Sequence, residues 1–316
     1  MLTAITGGAG FIGSHFVENL TSQGNRVLVL DNFSSGKRSY LQPFELNSDL
    51  LEIQELDIGN TKELTKSLVG VDRIIHLASN PDIARAALDP RIDFLNGTCL
   101  TESVIEAARI CEIPEIIYAS GSGVYGDAGQ KLLFENSPLV PISTYGASKL
   151  AGESLLSAYS YMFGIKSTIF RFANVVGSRQ THGITFDLVS KIRKNPSQLD
   201  ILGNGSQYKS YLHVSDVVKG VLSLSETNKE KFDLFNLANI DNISVSEIAF
   251  LVLELFGINP ENIELNFGHT DRGWKADIPI VNMSSDYARS RGWSSTFNSK
   301  QSIVKAIESR IKETEN

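Results

Sequence analysis

Tyr145 and Lys149 are the side chains of this chain best spaced for chemistry. Four residues apart in Tyr145-Gly-Ala-Ser-Lys149, they share one face of a helix, so phenol and ammonium point the same way. A phenol titrating near ~10 is a poor base at neutral pH, and a neighbouring cation lowers it by roughly 1–3 units. The pair therefore reads as a general base with the cation that tunes it, although many helices carry a Tyr and a Lys at this spacing by chance. Upstream, Ser120-Gly-Ser-Gly-Val-Tyr-Gly126 opens at the end of an apolar stretch and offers two hydroxyls, Ser120 and Ser122.

A second constellation stands at the start of the chain, in Thr3-Ala-Ile-Thr-Gly-Gly-Ala-Gly-Phe-Ile-Gly-Ser14. Leu2–Thr6 reads as a buried strand, and Phe11, Ile12, Phe16, Val17 and Leu20 repeat at helical spacing. Gly7, Gly8, Gly10 and Gly13 occupy the turn between them. A strand reversing tightly into a helix needs residues that tolerate unusual dihedrals, and a backbone touching a pyrophosphate needs residues without a Cβ. The helix then offers free N–H groups and its positive dipole end to the anion. Arg26–Leu30 is the next strand, and Asp31 closes it, where an acid binds a ribose 2′-hydroxyl. The ensemble predicts a dinucleotide site. Asp31 repels a 2′-phosphate and so favours NAD over NADP, with Lys37 and Arg38 nearby as the opposing signal.

The elements that must position these groups alternate strand and helix, as a doubly wound parallel sheet requires. Further strands are expected at Leu51–Leu56, Arg73–Leu77, Ile116–Ala119 and Lys166–Phe172, with a helical segment near Leu64–Val69. The third strand leads into Asp57-Ile58, and the fourth ends in Leu77-Ala78-Ser79, small enough to lie under a flat cofactor. Long helices are predicted over residues 91–111, ended by Pro114, and over Ser143–Gly164. Beyond about residue 175 the rhythm loosens into turn-rich sequence with helices near 184–194, 215–226, 244–256 and 299–312. The expectation is a Rossmann-type α/β domain over 1–175, with later crossings back into it. A smaller, irregular α/β lobe over 176–316 would carry substrate. Ligands of such folds sit at the carboxyl ends of the strands.

Composition bounds the rest. The 316 residues carry 29 Lys and Arg against 36 Asp and Glu, a net charge of −7 without any basic block. That argues against nucleic acid as a partner. Two cysteines, Cys99 and Cys111, lie twelve residues apart in one helical pattern and cannot pair, which points to a reducing, cytoplasmic setting. No apolar run is long enough for a membrane span, so a soluble chain is expected. No Cys/His cluster has metal spacing. His76 reads as a satisfied core histidine and His213 as structural, while His182 is open.

Gly7–Gly13, Asp31, the Ser120–Gly126 run and Tyr145-x-x-x-Lys149 together resemble the extended short-chain dehydrogenase/reductase superfamily. The closer likeness is to its nucleotide-sugar epimerase/dehydratase branch, and it extends over about residues 2–312. The resemblance implies NAD as cofactor, with contacts from Gly7, Gly10, Phe11, Ile12, Gly13, Asp31, Asn32, Asp57, Ile58, Leu77, Ala78, Tyr145 and Lys149. It places Asn174 of Arg171-Phe-Ala-Asn174 on the substrate diphosphate. It places Lys209 and Arg272 as phosphate-clamping cations, and Val281 where a bulky residue would exclude N-acetyl sugars. It also implies a homodimer through the two long helices.

Three positions depart from that pattern. Lys209-Ser210 stands where Arg-Asp is usual, which loses a bidentate fork. Gly97 stands where an Asn is expected. Gly121 stands where the bridging Ser or Thr belongs, leaving Ser122 as the expected replacement and Ser120 as the second candidate, more inclined to bond backbone at the strand end. The activity implied is NAD-dependent epimerisation at C4 of a UDP-hexose through a 4-keto intermediate, with Lys149 lowering the Tyr145 pKa. A 4,6-dehydratase needs carboxylates after the bridging position, and Ser122-Gly123 has none. A reductase, a decarboxylase and a non-catalytic NAD-binding redox sensor are the remaining alternatives.

Overall fold

Four of the five residues of the first strand are buried, as a strand covered on both faces requires. The computed structural model describes residues 1–45, 49–80, 86, 88–274 and 276–313. Strands β1 (Leu2–Thr6), β2 (Arg26–Asp31), β3 (Leu51–Glu55), β4 (Arg73–His76), β5 (Glu115–Gly121) and β6 (Lys166–Phe172) fall where the apolar stretches predict them. A seventh strand, Phe232–Leu237, was not foreseen; it lies beside β6 and makes the sheet order Phe232–Leu237, β6, β5, β4, β1, β2, β3. β1 pairs in parallel with both β2 and β4, so the strand order reverses at β1. In doubly wound sheets that reversal opens a crevice at the strands' carboxyl ends, and the glycine turn follows β1 there. The fold is the Rossmann-type α/β sheet expected.

The chain forms two compact units. The first comprises Met1–Val124, Ser143–Arg171 and Val218–Phe235. Its core joins Ala4, Leu28, Ile74, Ile116 and Ile169 of the sheet to Val104, Ile105 and Ala108 of helix Leu100–Ile110 and Leu156 of helix Thr144–Phe163. The second comprises Tyr125–Ile142, Phe172–Val217 and Asn236–Asn316. Here Leu188, Ile192, Ile248, Val252, Ile303 and Ile307 form a separate core. Short strand pairs accompany it: Gln198–Ile201 with Glu264–Phe267, Asn174–Val176 with Tyr211–His213, and Tyr208–Lys209 between Ile243–Ser244 and Ile280–Val281.

The helix predicted as continuous over 91–111 is interrupted. Arg91–Asp93 and Leu100–Ile110 are α-helical, and Phe94–Cys99 between them is a π-helical turn. The apolar spacing at Ile92, Leu95 and Cys99 carries no signal for that wider turn. Gly97 lies in it, buried against the Tyr145 helix, where a Cβ would stand 2.6 Å from Ser148 Oγ. Close packing on the Ser148 side chain therefore explains a glycine where an asparagine was expected. The second long helix runs Thr144–Phe163; Ser143 caps it by accepting from Gly146 N, and Gly164 ends it in the left-handed conformation.

Candidate active site

The glycine turn is built by steric necessity. Gly7 holds φ +70°, and a Cβ on it would lie 2.9 Å from Ala78 N. A Cβ on Gly13 would lie 2.2 Å from Gly7 O, so the first turn of helix Phe11–Ser22 packs directly on the loop backbone. Gly10 caps that helix without any side-chain bond, and its first turn holds no acidic residue. The N–H groups there are free to meet an anion. Asp31, only 7% exposed, staples the turn to β2: its carboxylate accepts from Ala9 N and Phe33 N, each at 2.9 Å. Burial raises the Asp31 pKa, and those two bonds pull it back. Lys37 N also donates to Ala9 O, and Arg38 pairs with Glu45 at 3.2 Å.

Around this turn lie the other expected cofactor residues. Phe11, Ile12, Leu77 and Ala78 are half-buried and Ile58 is buried. Asn32 and Asp57 are exposed and each accepts a backbone N–H two residues on, from Ser34 and Gly59. A turn that methyl groups on Gly7 and Gly13 would close, an uncapped helix start and a carboxylate at the end of β2 fit a dinucleotide.

The acid–base group occupies the same unit. Lys149 is 3% exposed and donates to Ala119 O at 2.9 Å, with its ammonium 5.6 Å from the Tyr145 ring centre and 5.1 Å from that of Tyr118. Burial lowers the ammonium pKa to about 8, with Glu153 and Asp93 opposing. The phenol departs from expectation. Burial pushes Tyr145 up to about 12, aided by Asp93, while the Ser79 hydroxyl draws it down. In the protein alone, desolvation of the phenol therefore dominates over any lowering by the neighbouring cation.

Ser120 bonds not backbone but Glu153, donating to its Oε1 at 2.5 Å. Arg171 grips the same carboxylate through Nε at 2.9 Å and Nη2 at 2.6 Å, with all three residues at most 4% exposed. Ser122 begins the helical turn Ser122–Tyr125 just after β5 and is half-buried. Gly121 ends β5. His76 is fully enclosed, its ring nitrogens bonded to Thr6 and Thr101 hydroxyls, and burial holds it down to about 3. That agrees with its reading as a core residue.

Sequence reasoning passed over Asp93, Asn80 and Glu153 as participants. Only Glu153 had a legible signal, one turn beyond Lys149 on the same helix face.

The second unit holds the four residues expected at substrate. Lys209 Nζ lies 2.7 Å from Asp277 Oδ1. Arg272 bonds Asp127 Oδ2 through Nη2 and Asp277 O through Nη1. Val281 is 5% exposed and pairs in register with Lys209, and Asn174 Nδ2 donates to Ser210 O at 3.3 Å. His213 shares its Nδ1 with Ser215 Oγ. Among the described residues no cluster of His, Cys, Asp or Glu is arranged to hold a metal ion, and no helix is long and apolar enough to cross a membrane.

Residues 3–238 match the NAD dependent epimerase/dehydratase family. The chain belongs to that family. A putative UDP-glucose 4-epimerase of Methanocaldococcus jannaschii is 29% identical over 310 residues, 96% of each chain. A crystal structure of a UDP-galactose 4-epimerase superposes with TM-score 0.87 at 34% identity, covering 99% of both chains. The UDP-glucose 4-epimerase of Thermus thermophilus, solved in complex with NAD, gives TM-score 0.86 at 26% identity over 98% of this chain and 99% of that one.

Proposed function

We propose that this member of the epimerase/dehydratase family is an NAD-dependent UDP-hexose 4-epimerase. The observation that carries the reading is the Tyr145–Lys149 pair, with Lys149 buried and its ammonium 5.6 Å from the phenol ring. A pure binding protein has no use for a buried cation beside a phenol, and burying one costs several kcal/mol. The names of the relatives add the uridine nucleotide and the C4 position.

Gly7, Gly10 and Gly13 with the free N–H groups of Phe11 and Ile12 would hold the NAD pyrophosphate, and Asp31 the adenosine ribose. Asn32, Asp57 and Ile58 would line the adenosine, and Leu77 and Ala78 would lie under the nicotinamide half. Bound NAD supplies the capacity to accept a hydride and return it. Tyr145 takes the proton of the sugar 4-hydroxyl as C4 is oxidised, and gives it back to the keto oxygen on the way out. Lys149 holds positive charge beside the phenolate that forms. Asn174, Lys209 and Arg272 would take the diphosphate, displacing Asp277 and Asp127 from the two cations. Ser122 presents its hydroxyl to the sugar, and the absence of a carboxylate in Gly121-Ser122-Gly123 disfavours dehydration. Val281 leaves room for an N-acetyl group.

Incubating the protein with UDP-, dTDP- and GDP-sugars, and following products by NMR, tests this reading. Interconversion of UDP-glucose and UDP-galactose is expected, with N-acetylated UDP-hexoses also accepted and NAD retained in preference to NADP. Loss of water from any substrate, or no turnover at all, would remove the epimerase assignment.

The two long helices also leave Ile110, Tyr161, Met162 and Phe163 between 47% and 72% exposed. Large apolar side chains gathered on a surface mark an interaction face, and a homodimer is the reading proposed. Light scattering should give twice the mass of the 34.6 kDa chain. A monomer at micromolar concentration would refute it.

A further inference from the structure

We propose that Tyr118 seats the Lys149 ammonium on the face of its ring and so is a positioning residue for the cation beside Tyr145. The proposal deepens the reading above, since it rests on Lys149 as the charge that accompanies proton transfer at Tyr145.

An ammonium carries three N–H donors and no acceptor, and burying it is costly unless partners replace the lost water. Lys149 donates to Ala119 O at 2.9 Å. Both acids whose charge reaches it are bonded elsewhere. Glu153, one turn on along its own helix, is held by Arg171 of β6 and by Ser120. Asp93, from helix Arg91–Asp93, accepts from Asn80 and Thr144. The remaining company of the cation is aromatic. Nζ stands over the Tyr118 ring, 5.1 Å from its centre, and over the Tyr145 ring at 5.6 Å. Both distances fall within the roughly 6 Å over which a ring face attracts a cation.

The face of Tyr118 supplies that attraction, and its hydroxyl does not. Burial pushes this phenol well above its ordinary value, so no phenolate forms there to pair with the ammonium. The hydroxyl end lies against Gly152, where a Cβ would stand 2.4 Å from Oη and 2.7 Å from Cζ. Gly152 follows Lys149 by three residues on helix Thr144–Phe163, so glycine lets the ring lie close to the turn that carries the cation.

The ring is held in turn by its neighbour on the sheet. His76 pairs in register with Tyr118 across β4 and β5 and stacks on it, 5.6 Å between centres and 26° between planes. The hydroxyls of Thr6 and Thr101 fix the two imidazole nitrogens at 2.7 Å and 3.0 Å. Burial holds His76 down to about 3, so it stays neutral and no second cation competes with Lys149 for the ring. Two hydroxyls thus fix the imidazole, the imidazole supports the phenol ring, and the ring faces the ammonium. A leucine at position 118 would fill the core and offer the cation nothing.

Ring fluorination separates the face from its bulk, because each fluorine drains the π cloud and leaves the shape nearly unchanged. Tyr118→Phe and its mono-, di- and trifluorinated forms make the series. Lysine labelled with carbon-13 at Cε reports the Lys149 titration by NMR without substrate, its signal assigned by its loss in Lys149→Met. Lys149 should titrate near the wild-type value in Tyr118→Phe and lower with each fluorine, by roughly half a unit to one and a half units in all. Thermal melts should stay level across the series, which separates the effect from packing. With a UDP-hexose, the alkaline limb of the kcat profile should move down in step, with little change in KM. A Lys149 titration that stays put across the fluorinated forms overturns the assignment. So does a drop already complete in Tyr118→Phe that fluorine does not deepen. If the wild-type protein turns over no nucleotide sugar, the epimerase reading fails, yet the titration still decides Tyr118.

Discussion

Replacing Tyr145 by phenylalanine should lower kcat by roughly a hundredfold or more, as expected when a positioned general base is lost. The change removes one oxygen and keeps the ring, so the packing beside Lys149 and the bond from Lys149 to Ala119 O stay in place. Thermal unfolding and NAD retention should match those of the wild type, which separates lost chemistry from lost structure. The wild type should also show a defined pH dependence. Burial holds the phenol up to about 12 in the protein alone, so the base is scarce at neutral pH and activity should rise as pH increases. Lys149, held down to about 8, loses its charge over part of the same range, and loss of that cation opposes the gain. The phenylalanine variant should lack the rising limb. Progress curves on a UDP-hexose from pH 6 to 9 check both points, and near-normal turnover in Tyr145→Phe would remove this residue from the mechanism.

The sequence disclosed what local pattern encodes. Continuous apolar runs marked the six strands from Leu2–Thr6 to Lys166–Phe172, and glycines between a strand and a helical repeat marked the turn. Four-residue spacing put Tyr145, Lys149 and Glu153 on one face of a helix. What stayed hidden depends on distant residues and on burial. Ser120 finds Glu153 across 33 positions and Asn80 finds Asp93 across 13, and no periodicity reports either bond. The direction of the Tyr145 shift followed from desolvation, a property of the whole fold, rather than from the neighbouring cation that spacing revealed. The π-helical turn at Phe94–Cys99 follows the same rule: Gly97 within it packs closely on Ser148 of another helix, a contact no local spacing reports. Strand Phe232–Leu237 was missed because its alternation, Phe-Asp-Leu-Phe-Asn-Leu, is weak, and its place at the sheet edge leaves its first three residues half-buried.

Gly13→Ala should abolish high-affinity NAD binding and lower stability by about 1–3 kcal/mol, the range for an overpacked site. The residue is helical, so backbone strain is not the cause. The added methyl would stand 2.2 Å from Gly7 O and 2.7 Å from Gly8 Cα, and both obstacles are backbone. Neither can swing aside as a long side chain does, so the helix start must lift from the turn. That movement carries the N–H groups of Phe11 and Ile12 away from the position a pyrophosphate would take. Each charge-assisted bond lost costs about 1.5–3 kcal/mol, or roughly tenfold to a hundredfold in affinity. Gly10→Ala provides the comparison, because its methyl would meet Gly7 O at 3.2 Å, a contact that a small shift relieves. The ordered expectation is a severe loss in Gly13→Ala, a milder one in Gly10→Ala, and retained NAD in Tyr145→Phe. Calorimetric titration of the cofactor-stripped proteins with NAD, alongside thermal melts, measures all three. Equal affinity in Gly13→Ala and wild type would show that the cofactor does not rest on this turn.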